Sequence, residues 1–282
     1  MYGPVGRPDN QLLADGETVR VDGSAVAEPP MPADHFLLQL RIEFSFDRDG
    51  ARGVFAVRPQ MFAPGTTAIR TALLFTFQDV LSGYMSGQPV APTVGQRLQL
   101  SRMPPTSGSF RLVVRPLRVG RSILVGEAVF TDDTGAEFGR GLSTYMRVDN
   151  TGRSAFSSDV LMSEPSFDEM VKVEICDTHT VEFTPGPRHR NTNSANAVQG
   201  GVQALVAERC AEHAIGGGRR MVATDLDVRF LTGLRARRLV ARAEVVSSDR
   251  DGGVCTVALR DGDGDGTGQI ATYATLTMRF VN

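Results

Sequence analysis

From Asn193 to Glu208 the chain reads NSANAVQGGVQALVAE, which joins an amide side chain, a Gly-Gly pair, an apolar run and one acid inside that run. Val198, Val202, Leu205 and Val206 recur at helical spacing, so a helix is predicted from about Gly200 to Ala214, stopped by the glycines at 216–218. The start of a helix offers backbone N–H groups with no intrahelical acceptor and the positive end of the macrodipole. Glycines there let a carbonyl oxygen approach the backbone. Gly200 and Gly201 therefore suit an oxyanion hole. Asn193 could add a side-chain N–H or position the loop, and Gln199 could hold the loop or a substrate carbonyl. Glu208 sits among Ala204, Leu205, Ala207 and Ala211. A carboxylate in such company is either turned to solvent or placed for proton transfer or nucleophilic attack.

Helix geometry limits which acid can serve the glycines. Glu208 lies eight residues beyond Gly200, roughly 12 Å along a helix. One small group cannot hydrogen-bond to the helix start and to Glu208, so the acid that serves Gly200 must come from another element.

The remaining elements suggest which one. Residues 1–34 read as an extended arm rich in Gly, Pro, Asp and Ala. Leu40, Ile42, Phe44 and Phe46 alternate with polar residues, a half-buried strand, and residues 54–57 predict a second. The run TTAIRTALLFTFQDVLSG predicts a helix from Thr66 to about Gly83, with Thr66 or Thr67 as N-cap and Gly83 as stop. It is apolar on nearly every side, the mark of a buried helix, and it holds one acid, Asp79. Strands follow over 97–100, 110–116, 123–131 and 138–148, and residues 150–166 are polar and turn-rich. The plan then repeats: strands over 170–175 and 180–183, the helix from Gly200, and strands over 222–231, 238–246, 254–260 and 270–281. Asp79 and Glu208 are the acids of corresponding helices. A helix that is apolar all round must be wrapped by its sheet, and two such units can pair through their sheet edges. The fold class expected is α+β: an arm (1–34), a first unit (35–149), a linker (150–168) and a second unit (169–282), forming a pseudo-dimer within one chain.

The composition excludes several functions. A net charge of −2 gives no basic excess for nucleic acid. No run approaches a membrane span of roughly 18 apolar residues, and the N-terminus has no apolar core of a secretory signal. Cys176, Cys210 and Cys255 are odd in number and far apart, which fits neither a disulfide framework nor a zinc site and points to a reducing cytoplasm. Asp261–Gly266 imitates the start of a calcium loop, but position 12 is Thr272, so a hairpin turn is expected. Cys210 and His213 share a helix face without further support for a catalytic pair. Arg188, His189 and Arg190 precede the Asn193 loop, where they either meet phosphates or stay solvated.

The second half resembles the hotdog-fold acyl-CoA thioesterases of the PaaI type. Their pattern is an Asn, then His-Gly-Gly or Gln-Gly-Gly opening a helix, with an acid nine positions after the His or Gln. Asn193, Gln199, Gly200, Gly201 and Glu208 stand at those places. TDLDVRFL at 224–231 resembles the family's strand after the helix. The first half has Arg70, Thr71 and Ala72 in place of the Gly-Gly motif and Pro64 in place of the Asn, but keeps an acid, Asp79. Ala223 stands where many members carry a hydroxyl residue. The aspartate–histidine pattern of hotdog hydratases and the His-Ser-Leu-His signature of TesB-like tandem thioesterases are absent.

The resemblance implies two tandem hotdog units that hydrolyse an acyl thioester. In family dimers the acid comes from the partner's helix, so a composite site is expected here: Asn193, Gln199, Gly200 and Gly201 from one half and Asp79 from the other, as general base or nucleophile. The mirror site would pair Glu208 with the helix start at Arg70–Ala72, either degenerate, altered in substrate, or using Arg70 and Thr71 as substrate contacts. The partner expected is an acyl-CoA or acyl-carrier thioester, with no cofactor beyond coenzyme A as part of the substrate, no metal, no nucleic acid, and a homodimer of pseudo-dimers as one assembly. The alternative is a non-catalytic acyl-thioester binding or assembly protein.

Overall fold

The computed structural model describes residues 18–20, 37, 40, 42–85, 92–147, 165–185, 191–193, 197–235, 238–262 and 268–281. Their strands form one antiparallel sheet of thirteen. The first unit contributes β1 (Thr18–Arg20), β2 (Glu43–Asp47), β3 (Gly50–Ala56), β4 (Thr93–Leu100), β5 (Ser109–Val119), β6 (Ile123–Asp132) and β7 (Glu137–Met146). The second contributes β8 (Val173–Ile175), β9 (Thr180–Phe183), β10 (Met221–Phe230), β11 (Leu239–Ser248), β12 (Gly252–Asp261) and β13 (Ile270–Phe280). The order is β1-β2-β3-β5-β6-β7-β4-β10-β13-β12-β11-β9-β8, so within the sheet the halves join where β4 pairs with β10. There Leu98 faces Leu226 in register, and both are fully buried.

Each half wraps one helix: α1 (Thr71–Ser82) in the first, α3 (Gly200–Gly216) in the second. This is the tandem arrangement that the repeat predicts and the double hotdog that the resemblance implies. The two helices pack against each other, which explains why α1 is apolar on nearly every side: one face meets the sheet and the other meets its counterpart. Leu74, Phe75, Phe77 and Leu81 of α1 are fully buried, as are Val202, Leu205, Val206 and Cys210 of α3. Phe77 stacks on Phe55 at a centroid distance of 4.5 Å and lies 6.1 Å from Phe110, which neighbours Phe130 and Phe138. The aromatic side chains of the first half therefore fill its core.

Several boundaries differ from expectation. α1 begins at Thr71 with Arg70 as N-cap, not at Thr66 or Thr67. The Thr66 hydroxyl donates to the Ala63 carbonyl (2.9 Å) and accepts from the Ala68 amide (3.1 Å), closing a turn instead of capping the helix. Gly83 does end α1, and Gly217 ends α3 in the left-handed conformation at φ 56°. The strand expected over 170–175 is shorter, because Phe167–Met170 forms a helical turn, α2, closed by a capping box between Ser166 and Glu169. Residues 186–190 and 263–267, with Arg188, His189, Arg190 and most of the calcium-loop imitation, lie outside the described residues, as do most of the arm and the linker. No helix among the described residues is long and apolar enough to cross a membrane.

Candidate active site between the two halves

The antiparallel packing of α1 on α3 brings the acid of each helix to the start of the other. A Cβ placed on Gly200 would lie 3.5 Å from Asp79 Oδ2 and 3.0 Å from Phe230 Cζ. The Asp79 carboxylate thus faces the first residue of α3, as the composite arrangement requires. The carboxylate is half-buried and held from one side: Thr93 on β4 donates its hydroxyl to Oδ1 at 2.7 Å, and the Tyr145 hydroxyl on β7 shares its one proton between the same oxygen at 2.8 Å and the Asp79 backbone carbonyl at 2.6 Å. Thr93 and Tyr145 are cross-strand partners, so a single rung of the sheet supplies both hydroxyls. Burial raises the Asp79 pKa above its ordinary value, and the bonds from Thr93 and Tyr145 oppose the rise. Burial also raises the Tyr145 phenol, as does the neighbouring Asp79 charge. Sequence reasoning missed both hydroxyl residues. The missing hydroxyl noted at Ala223 was the available signal, since it could have been sought at the equivalent place in the other half.

The two glycines have different reasons to be glycine. A Cβ on Gly201 would stand 2.1 Å from Thr76 Oγ1, so Gly201 lets α3 approach α1. Gly200 is the residue that faces the carboxylate. Gln199 is the N-cap of α3, and its Oε1 accepts from the Gly200 amide at 3.0 Å. The Gly201 amide belongs to the first turn, where no intrahelical carbonyl reaches it. Asn193 acts on its loop: its Oδ1 accepts from the Ala197 amide at 3.1 Å, and its own amide donates to the Ala197 carbonyl at 2.8 Å. Asn191, which sequence reasoning did not single out, is buried beside this loop. Its backbone carbonyl accepts from the Gln199 amide, while its Oδ1 has no hydrogen-bond partner among the described residues.

The mirror position is built differently. Glu208 is fully buried, which settles the solvent-facing alternative against it. Its carboxylate accepts from the amides of Ala72 (2.8 Å) and Thr71 (3.4 Å) at the start of α1, and from the Ala223 amide on β10 (3.0 Å). The chain's own carboxylate therefore occupies the helix start that a substrate oxygen would need. Burial raises the Glu208 pKa, opposed by the Arg70 charge and by the Ala223 and Ala72 amides. Arg70 and Thr71, expected as substrate contacts, are fully buried and committed elsewhere. Arg70 donates to Asp168 (2.9 and 3.1 Å), Glu212 (2.9 Å) and the Met221 carbonyl (3.2 Å), and Thr71 donates to the Ala223 carbonyl. Burial acts to lower the Arg70 pKa, but the charges of Glu208, Asp168 and Glu212 more than reverse it and hold the guanidinium protonated. Arg209 joins the same cluster through Asp168 (3.4 Å) and Glu212.

The sheet register explains why the two sites differ. Register shifts occur between Thr93 and Gly95 in β4 and between Ala223 and Asp225 in β10. Thr93, paired with Tyr145, thus corresponds to Ala223, paired with Met278. The hydroxyls that hold Asp79 have no counterpart around Glu208. Cys210 donates weakly to the His179 and Ala241 carbonyls at 3.4 Å, and burial pushes its pKa up to about 12, so the Cys210–His213 pairing does not form a nucleophile. A recess of about 590 Å³ is lined by Arg242, Glu244, Thr256, Arg260 and Tyr273. Its lining residues Arg242, Glu244 and Tyr273 lie on the exposed side of β11–β13.

These features define a tandem hotdog with one carboxylate set against a glycine helix start and the other locked to its helix. Residues 199–267, from the N-cap of α3 through β12, match the family model of the thioesterase superfamily. No curated protein sequence matches the chain. Among solved structures, the chain is similar to the tesB protein of Mycobacterium avium subsp. paratuberculosis, with a TM-score of 0.63 at 15% identity over 87% of this chain and 98% of that one. An acyl-CoA thioesterase II, TesB2, from Mycobacterium marinum superposes with a TM-score of 0.56 at 13% identity over 86% and 96%. The 12:0-ACP thioesterase of Umbellularia californica gives 0.56 at 14% identity over 88% and 97%. Near-complete coverage in both directions establishes the fold over both halves.

Proposed function

We propose that the protein is an acyl-thioester hydrolase with one working site per chain, formed by Asp79 of the first half and the start of α3 in the second. The observation that carries the reading is Asp79 Oδ2 at 3.5 Å from the Cβ position of Gly200. In this reaction the thioester carbonyl oxygen enters the first turn of α3, where the Gly201 amide and the helix dipole stabilise the developing oxyanion. Gln199 Oε1 marks the place, since it already rests on the Gly200 amide and would move aside for the substrate oxygen. Asp79 Oδ2 takes a proton from a water molecule, the resulting hydroxide adds to the carbonyl carbon, and collapse of the tetrahedral intermediate breaks the carbon–sulfur bond and expels the thiolate, which takes the proton back from Asp79 to leave the thiol and the carboxylic acid. A carboxyl whose pKa is raised by burial is a better base near neutral pH than an ordinary aspartate, which favours general-base over nucleophilic catalysis. Thr93 and Tyr145 fix Oδ1 and leave Oδ2 toward Gly200. Glu208 has a structural part. The subfamily is PaaI-like in motif, the substrate an acyl-CoA or acyl-carrier thioester, and the working compartment the cytoplasm.

The test is thiol release from a panel of acyl-CoA and acyl-carrier thioesters by the wild type, Asp79→Asn and Glu208→Gln. Asp79→Asn should lose turnover by about a thousandfold, within the range for a general base acting together with its site. Full activity in Asp79→Asn together with loss in Glu208→Gln would overturn the composite assignment. Binding of thioesters without turnover by the wild type would replace hydrolysis with the non-catalytic binding role.

A further inference from the structure

The hairpin joining β5 to β6 extends past the start of β3 and carries an unusual surface. Leu117, Val119 and Ile123 are 58%, 56% and 47% exposed, and Met146, the cross-strand partner of Ile123 on β7, is 46% exposed. Three exposed guanidinium groups lie near them: Arg118 and Arg121 on the hairpin and Arg147 beside it, whose backbone N–H donates to the Ser122 carbonyl at 2.8 Å. None has an ion-pair partner among the described residues. Glu127 on the adjoining strand β6 is committed to Arg140. In a chain of net charge −2, this is a local excess of positive charge set in exposed apolar surface.

Its place in the fold connects it to the active site. Val119 pairs with Leu124, Leu124 with Tyr145, and Tyr145 with Thr93, so one rung runs from the hairpin to the two hydroxyls that hold Asp79. Val119 stands two strand spacings from Tyr145, about 10 Å. A register shift between Pro116 and Arg118 turns the end of β5, which leaves Val119 on the helix-facing side of the sheet yet open to solvent. The hairpin is thus a rim of the site.

We propose that this hairpin docks a small acidic carrier protein that presents the acyl thioester on a flexible thiol arm. The inference rests on the hydrolase reading above and names the partner for that site. Charge complementarity selects an acidic surface, and exposed Ile123 and Met146, neighbours on the outer face, with Leu117 at the irregularity in β5, fit an apolar protein patch. The phosphates of a free nucleotide thioester would use the arginines but leave those apolar side chains uncovered. A bilayer is the poorer fit: the tip itself is Gly120-Arg121-Ser122, so insertion would bury a guanidinium, and the aromatic residues typical of membrane interfaces are missing from the hairpin.

The test compares octanoyl-loaded acidic acyl-carrier protein, octanoyl-CoA and octanoyl-pantetheine as substrates for the wild type, an Arg118→Glu/Arg121→Glu variant and a Leu117→Ser/Ile123→Ser variant. Both variants change only exposed side chains. The expected result is a fall of about tenfold or more in kcat/KM on the carrier substrate, carried by KM and weakened by salt in the wild type. Values on octanoyl-pantetheine should stay within twofold. Direct binding of the carrier protein to Asp79→Asn, by fluorescence anisotropy, reads docking without turnover, so a missing hydrolase activity and a missing docking surface give different results. Carrier binding that survives charge reversal overturns the proposal. So does an equal loss on octanoyl-CoA, which assigns the arginines to nucleotide phosphates. Binding to anionic phosphatidylglycerol vesicles in place of the carrier overturns it as well.

Discussion

Replacing Glu208 by alanine tests whether the mirror position is a structural lock. The substitution removes the side chain that accepts from the Ala72, Thr71 and Ala223 amides, and withdraws a negative charge from Arg70. The 2.8 and 3.0 Å bonds are the strong ones, and each buried amide left unpaired costs about 1–3 kcal/mol. Loss of one member of a buried ionic cluster costs about 3–5 kcal/mol. Against this stands relief of the burial penalty that raises the Glu208 pKa. The net expectation is a loss of about 3 kcal/mol, which for a chain of this size lowers Tm by roughly 6–12 °C.

The pH dependence of that loss has a definite sign. A carboxyl whose folded pKa is raised holds its proton in the folded chain over a window above 4.5 where the unfolded chain has released it. Stability from this group is therefore full below that value and declines as pH rises through the folded pKa. The difference in Tm between wild type and Glu208→Ala should be widest at the acid end and narrow toward neutral pH. Thermal unfolding by circular dichroism across pH gives both quantities, and turnover measured well below Tm should stay within a few-fold of wild type. An unchanged Tm together with abolished turnover would refute the structural reading and make Glu208 the catalytic acid.

Three further predictions concern the working site. Thr93→Val and Tyr145→Phe each remove a bond that opposes the burial-driven rise of the Asp79 pKa, so the acid limb of the kcat/KM–pH profile should move to higher pH in both, while Thr93→Ser leaves it in place; a fall in Tm with no movement of the limb would show a packing role only. Gly201→Ala places a methyl 2.1 Å from Thr76 Oγ1 and should cost about 1–3 kcal/mol by separating the helices, and Thr76→Ala should recover most of it in a double-mutant cycle. Asp79→Glu adds one methylene, about 1.5 Å of reach, and should carry the carboxylate onto the α3 amides as Glu208 sits on those of α1; turnover should fall as in Asp79→Asn while Tm rises, and a Tm that falls would count against the geometry.

Much of this architecture could be read from residue order because it repeats. Short strands, a single buried helix and a run of longer strands occur twice, and the physical need to cover both helices leads to the wrapped sheet and the paired halves. The helix arithmetic placed the acid serving Gly200 outside its own helix, and Asp79 does lie against Gly200. What the sequence withheld were long-range partners with no local signature. Thr66 and Thr67 precede the α1 run and carry the right side chains for an N-cap, yet the loop spends Thr66 on a turn and leaves the helix start to Glu208, 137 residues away from Thr71. Thr93 and Tyr145 are ordinary strand residues until the register places them on one rung facing Asp79. Arg70 looked like a candidate donor because burial and ion pairing with Asp168 and Glu212 cannot be seen along the chain.

The asymmetry between the two halves follows from small changes at equivalent places. Where the first half has Asp, Thr and Tyr, the second has Glu, Ala and Met. The shorter acid, held by two hydroxyls, stops short of the opposing helix and faces glycine, so space and free first-turn amides coincide there. The longer acid has no hydroxyl to hold it, reaches the opposing helix and caps it. That helix begins with Thr71 and Ala72, whose side chains close the approach that Gly200 leaves open, and Arg70 balances the buried charge. Each substitution on the closed side supports the others: without Glu208 the α1 start lacks its cap, without Arg70 the buried carboxylate lacks its countercharge, and without the Ala223 amide it lacks a third donor. Under the proposed function a tandem repeat frees one copy for this purpose, because a single site would suffice for turnover while the other holds the halves together.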